Sequence, residues 1–328
     1  MFQTVANHFL QRFGGRFSDW FMNFMSDFGT FQVYLALILA VMFGWNLSKG
    51  FFLMHIMIWS GMANSFMKDY FNLPRPIDID ETLRVPGPDY NHINIDGGNH
   101  SANGPFQYLS QGIIEKCRSI GLKSPGFPSG HAASAAAFWI SLPLLVKKTW
   151  LWIFGLLAMA LIMTSRMYLG VHFLADVTGG FLSGILIVTI GFLLYYWLLE
   201  VDIKGQKRFP LYTFSGRLAR YLYYFGVPIA LSFVPNIGIQ YTAPLMGVNL
   251  VIITAGLRNI EERGQTWERI IRVLFAYGLY LASAKIISLL PRPETELLKF
   301  IEISIQYFLA VRLSIAVCVW TRLYRRSY

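Results

Sequence analysis

Long apolar runs separated by short basic stretches decide what this chain can fold into. They lie at 30–46, 50–67, 130–146, 149–169, 173–199, 219–235, 239–257, 271–290 and 297–320. Most approach the roughly 20 residues that a helix needs to cross a bilayer. With 55% hydrophobic and 14% charged residues and a mean hydropathy of +0.45, the chain is too apolar for an ordinary soluble domain. The sequence predicts an all-α, polytopic integral membrane helical bundle of about nine transmembrane helices. A formal charge of +10 is also a nucleic-acid signal, but here the basic residues sit between apolar runs. They are better explained as loops kept in the cytoplasm by the positive-inside bias. Membrane lipids are the expected surroundings, and no nucleic-acid partner is expected.

The basic stretches also orient the chain. Lys147-Lys148, the segment with Lys204, Lys207, Arg208, Arg217 and Arg220, the connection with Arg258, Arg263, Arg269 and Arg272, and the tail with Arg322, Arg325 and Arg326 can all be cytoplasmic at once. The amino terminus is then outside and the carboxy terminus inside. Three regions follow: an amphipathic interfacial segment at 1–28, a membrane core at 29–200, and further transmembrane helices at 201–328 packed on it. In 1–28, Phe9, Phe13, Phe17, Trp20, Phe21 and Phe24 interleave with Arg12, Arg16 and Asp19. That segment lacks the unbroken apolar stretch of a secretory signal. Residues 77–127 form an outer loop rich in turn residues, including Pro86-Gly87-Pro88, and are expected to cover a site as a lid. Its Asp78, Asp80 and Asp96 lack calcium-loop spacing and read as solvated carboxylates. Cys117 and Cys318 form no framework, since the second lies in a predicted span, and no disulfide is expected.

The same topology gathers ionisable residues at the outer face: Lys68, Arg75, His131, Arg166, His172 and Asp176. Such groups are costly at a membrane boundary unless something there uses them. Helix spacing puts His172 and Asp176 on one face, where the carboxylate can hold one ring nitrogen and leave the other free as a nucleophile. Ser129 is a good N-cap, and with Gly130 it opens a helix whose first free amides form an anion site. His131, in the same turn, can protonate a leaving group and then activate water. Lys68, Arg75 and Arg166 can neutralise phosphoryl oxygens. Taken singly, a histidine near a helix end is more often an interfacial residue, and an arginine there usually snorkels. The joint spacing is what favours a site.

Lys68-x6-Arg75-Pro76, Pro128-Ser129-Gly130-His131 and Ser165-Arg166-x5-His172-x3-Asp176 resemble the three signature motifs of the type-2 phosphatidate phosphatase superfamily. That superfamily includes lipid phosphate phosphatases, glucose-6-phosphatases, bacterial acid phosphatases and vanadium haloperoxidases. The resemblance implies a metal-independent phosphatase with His172 as phosphohistidine nucleophile, His131 as acid and base, and Asp176 as its orienting partner. Lys68, Arg75, Ser129, Gly130 and Arg166 would hold the phosphate. No metal or cofactor is implied. The nine-span layout resembles the glucose-6-phosphatase branch, whereas Asp176 is the general superfamily residue.

The expected substrate is a phosphate monoester or diphosphate, of a lipid first because the site lies at the bilayer edge. A soluble sugar phosphate is the alternative. A transporter of phosphorylated lipids is a reading of another class, but it needs neither His131 nor the His172/Asp176 pair. The expected location is a bacterial inner membrane with a periplasmic site, or the endoplasmic reticulum with a lumenal one. Lys285-x6-Arg292-Pro293 repeats the first motif's spacing without the other two, and reads as a coincidence of span-end residues.

Overall fold

A computed structural model describes the chain except for residues 1, 87–94, 96, 105, 123, 196–217, 219, 256, 258–259 and 327–328. Asp96 and the basic residues Lys204, Lys207, Arg208, Arg217 and Arg258 therefore lie outside the described residues. The described residues are mostly helical, with turns and loops between the helices; their β-structure is an antiparallel pair of two-residue strands, Ile260–Glu261 with Arg325–Arg326, and a bridge between Asp80 and Asn99. The chain divides into two units, residues 1–34 with 63–188 and residues 35–62 with 189–328.

The first unit contains helices α1 (Val5–Gln11) and α2 (Arg16–Phe28), the start of α3 (Phe31–Gly44) and the end of α4 (Leu47–Phe71). It continues with a short turn α5 (Pro76–Ile79), α6 (Gln111–Ile120), α7 (Gly130–Val146), α8 (Thr149–Tyr168) and most of α9 (Leu174–Ile190). Small residues bring α7 and α9 together. Ala132, Ala133, Ala136 and Ala137 are buried, and a Cβ added at Gly180 would lie 2.3 Å from the Ser129 carbonyl. One at Gly184 would lie 2.6 Å from the Ala133 carbonyl. In lipid, where apolar burial does not drive helices together, such close backbone approach is a main source of packing energy. The opposite face of this pairing is apolar and outward: α8 exposes Trp150, Ile153, Phe154, Leu156 and Leu157, as a lipid-facing helix does.

The second unit contains a π-helical turn at Leu222–Gly226, then α10 (Val227–Ser232), α11 (Ile239–Thr254), α12 (Thr266–Ser288) and α13 (Glu296–Trp320). Several of its buried polar groups are paired. His55 meets the Asn249 Oδ1 at 2.8 Å, and Asn249 donates to the Tyr224 carbonyl at 2.9 Å. Arg272 is buried, donating to the Glu262 and Leu323 carbonyls beneath the Tyr324 ring. Lys285 and Arg292, at the end of α12 and beyond it, are exposed.

The chain is thus an all-α membrane protein. Among the described residues α8, Leu174–Leu193, α12 and α13 are long and apolar enough to cross a bilayer, and α2 with α3, bent by 52°, adds a fifth if taken as one span. The remaining runs of the expected nine are shorter or more polar. The helices α7 and α11 have 17 and 16 residues. His55, Ser60 and Asn64 dilute the apolar character of α4.

Residues 77–127 are more structured than their turn-rich composition predicts. Ile79, Ile95, Leu109, Ile114 and Cys117 form a small core with Phe2, Leu73, Phe173 and Ala175, so the loop has a packed base. Asp78 and Asp80 are not solvated, contrary to expectation, while Asp96 lies outside the described residues. Asp78 is buried and accepts from the Arg75 amide at 2.7 Å, and Asp80 is buried against His8 (2.9 Å) and Thr82. Each caps a turn, a demand that short-range composition does not reveal. Cys117 and Cys318 are both free and buried.

Candidate active site

Three stretches of backbone deliver the eight residues singled out by spacing, and all lie in the first unit. The last turn of α4 presents Lys68, and four residues beyond its end the chain turns through Arg75 into α5. The Ser129 side chain caps α7, accepting from the Ala132 amide, while its own amide donates to the Asp176 carbonyl at 2.9 Å. That bond ties the start of α7 to the first turn of α9. Gly130 packs closely on α4: a Cβ there would lie 3.1 Å from the Asn64 Oδ1, which would have to shift. Asn64, one turn before Lys68 on α4, also donates to the Pro128 carbonyl at 3.3 Å.

His172 and Asp176 are 2% and 0% exposed. The His172 Nδ1 faces the Asp176 Oδ2 at 3.3 Å, while the same oxygen takes a tighter 2.8 Å bond from the Phe173 amide. The carboxylate therefore fixes both the ring and the backbone turn that carries it. His172 feels burial first and then the positive charges of Lys68, Arg75, Arg166 and His131, which together hold it well below the usual imidazole range. The ring is accordingly neutral at physiological pH, as a nitrogen nucleophile must be. His131, Lys68 and Arg75 are half-buried, so His172, Asp176 and Ser129 are deeper than the two cations Lys68 and Arg75.

Several partners of these residues are not legible from motif spacing. The Arg75 guanidinium bonds the Ser124 carbonyl at 2.9 Å and the Ser124 hydroxyl at 2.7 Å, and the Lys68 amine donates to the Pro125 carbonyl. The stretch just before the Pro-Ser-Gly-His turn is therefore part of the site's wall. Arg166, buried at the end of α8, donates to the Ser26 hydroxyl of α2. Asn7 of α1 donates to the Met167 and His172 carbonyls at 2.8 and 3.0 Å. A polar residue within an aromatic-rich segment was the one available signal for Asn7 and Ser26.

Beside the site lies a cavity of about 350 Å³ lined mainly by apolar side chains, among them Phe2, Phe71, Leu73, Tyr108, Phe127 and Ala175. Phe127 directly precedes the Pro128–His131 turn, and Ala175 directly precedes Asp176. Among the described residues no three His, Cys, Asp or Glu side chains converge as metal ligands.

The segment that carries the two histidines, the buried carboxylate and the three cations matches the family model of the PAP2 superfamily, over residues 49–200. That segment is just under half of the chain and holds all eight of the site residues. The chain is also similar to the undecaprenyl-diphosphatase of Sulfolobus acidocaldarius, 41% identical over 58 residues, which are 18% of this chain and 28% of that relative. No solved structure matches the chain.

Proposed function

We propose that the chain is a membrane phosphatase that hydrolyses the phosphate monoester or diphosphate of a lipid through a phosphohistidine at His172. The observation that carries this reading is a buried His172 held by Asp176 in the stretch that also carries three cations, with an apolar cavity beside it. In the first step the His172 Nε2 attacks phosphorus and the bond to the leaving oxygen breaks. His131 supplies that oxygen's proton, and the lipid alcohol or monophosphate departs. In the second step water attacks the phosphoryl group, His131 takes the water's proton, the P–N bond breaks and inorganic phosphate is released. Asp176 supports the positive charge that the ring acquires when phosphorylated. Lys68, Arg75, Arg166 and the Gly130 amide balance the charge on the transferring group, and Ser129 holds the turn that presents that amide.

The cavity favours a lipid over a soluble sugar phosphate. Its size lies within the roughly 300–1,000 Å³ of small-molecule pockets, and its lining offers a sugar few hydrogen-bond partners. The similarity to an enzyme named for undecaprenyl diphosphate points the same way. The site's position at the outer membrane face, the nine-span layout and the three regions 1–28, 29–200 and 201–328 belong to the same proposal.

The test is phosphate release by purified protein from phosphatidate, an isoprenyl diphosphate, a sphingoid phosphate and glucose 6-phosphate. The lipid substrates should turn over at least tenfold faster than the sugar. His172→Ala and His131→Ala should each abolish turnover in folded protein. Faster turnover of glucose 6-phosphate would replace the lipid reading, and full activity in His172→Ala would end the covalent mechanism.

A further inference from the structure

The segment that matches the superfamily begins at residue 49, yet three of the site residues are touched from residues 7–29. The end of α2 makes two of these contacts. Ser26 is 4% exposed, and its hydroxyl accepts from the Arg166 Nη1. Gly29, just past the helix, lies so close to the site that a Cβ there would come within 3.1 Å of the His131 Cδ2 and 2.8 Å of the Ile162 Cγ2. The third contact is Asn7, whose amide holds the His172 carbonyl from α1. Tyr168, two residues after Arg166, is held by the same segment through Asp19 of α2.

We infer that the carboxy-terminal end of α2 is a positioning wall for phosphoryl transfer, in which Ser26 sets the Arg166 guanidinium and Gly29 sets the place of the His131 ring. This rests on the phosphatase reading given above. An arginine on a flexible stem can reach a phosphoryl oxygen from many rotamers, and a fixed hydroxyl on one Nη leaves fewer. Of the groups that contact Arg166, the Ser26 hydroxyl comes from a segment the superfamily match does not include. Gly29 acts by absence: the Ile162 Cγ2 methyl and the His131 ring edge together occupy the space a side chain would take. Both are positioning residues, since neither reaches the Nε2 that attacks or the oxygen that leaves. The catalytic geometry thus depends on a segment whose exposed surface carries the ring stripe Phe17, Trp20 and Phe24, so a membrane-facing helix also holds the site.

The experiment compares Ser26→Ala and Gly29→Ala with the wild-type chain in kcat, KM, orthovanadate inhibition and thermal unfolding. Wild-type turnover is measured first, and its absence would count against the phosphatase reading, not this one. Trigonal-bipyramidal vanadate bonded to His172 resembles the transferring phosphoryl group, so its inhibition constant reports on transition-state geometry. Loss of one oriented, charge-assisted hydrogen bond should lower kcat in Ser26→Ala by about tenfold or more and weaken vanadate by a similar factor. KM and the unfolding midpoint should stay near wild type. Gly29→Ala, which leaves the Arg166 contact in place, should lower kcat and displace the limb of the pH–rate profile that reports His131. Wild-type kcat and vanadate inhibition in both variants would overturn the inference. So would losses that merely follow a lowered unfolding midpoint, with vanadate inhibition of the folded fraction unchanged.

Discussion

The surroundings of His172 are those that the proposed nucleophile needs. A carboxylate alone would raise the imidazole's affinity for a proton. Here burial and four neighbouring positive groups outweigh it and hold the ring in its neutral form. That has a consequence for stability. In the unfolded chain the ring takes up a proton near pH 6.5, while in the folded chain it stays neutral well below that value. As pH falls through about 6.5, the unfolded state binds more protons than the folded state, so stability drops with pH from there until the lower folded value is reached. His172→Ala removes this contribution. Its unfolding midpoint should therefore fall less steeply than wild type between about pH 7 and 5, as followed by thermal unfolding in detergent. An equal slope in both proteins would mean that His172 titrates normally. The motif residues themselves were legible because phosphate chemistry demands particular side chains at fixed intervals. Ser26, Asn7 and Ser124 were not, because a hydroxyl or amide that supports a catalytic group can come from any element that passes by.

At the scale of elements, the runs at 130–146 and 149–169 coincide with α7 and α8 almost to the residue. Lys147, in the left-handed conformation, and Lys148 end one helix and begin the next, and a charged pair between two apolar runs is a strong boundary. The run at 50–67 is less well bounded: α4 extends to Phe71 and carries Lys68 within its last turn. An apolar window ends at the first charge, but a helix does not. The polar stretch 77–127 hid α6 because an amphipathic helix on a small core lacks the continuous apolar signal of a span. The α7–α9 crossing was equally hidden, since glycine reads as a flexible residue until its neighbour is known. Gly180→Ala should test that crossing. The added methyl would overlap the Ser129 carbonyl, so α7 and α9 must separate at the very turn proposed to hold phosphate. A stability loss of about 1–3 kcal/mol is expected, with a fall in kcat larger than stability alone accounts for. The control is Ser183→Ala on the same helix, which removes only a local bond to the Gly180 carbonyl and should leave activity near wild type.

At the scale of the whole molecule, function depends on which side of the membrane the site faces. The charge bias of the connections and the convergence of the site residues are separate readings of the sequence, and both put the end of α4, the start of α7 and the end of α8 outside. A cysteine at Ser119 tests the outer side, because this exposed residue lies in α6 within the 77–127 segment. A cysteine at Arg325 tests the inner side, being exposed in the basic tail. The background lacks Cys117 and Cys318, which are buried. In intact cells an impermeant thiol reagent should label the protein at Ser119→Cys, and should label it at Arg325→Cys only after permeabilisation. In sealed vesicles from an internal membrane the first position should be lumenal and therefore protected. The positive-inside bias acts on short loops near the ends of spans, and most of the basic stretches here are of that kind. The opposite labelling would place phosphate release in the cytoplasm and limit the enzyme to lipids of the inner leaflet. The His172 chemistry would stand unchanged, since it depends on charges within the first unit and not on the side of the bilayer that they face.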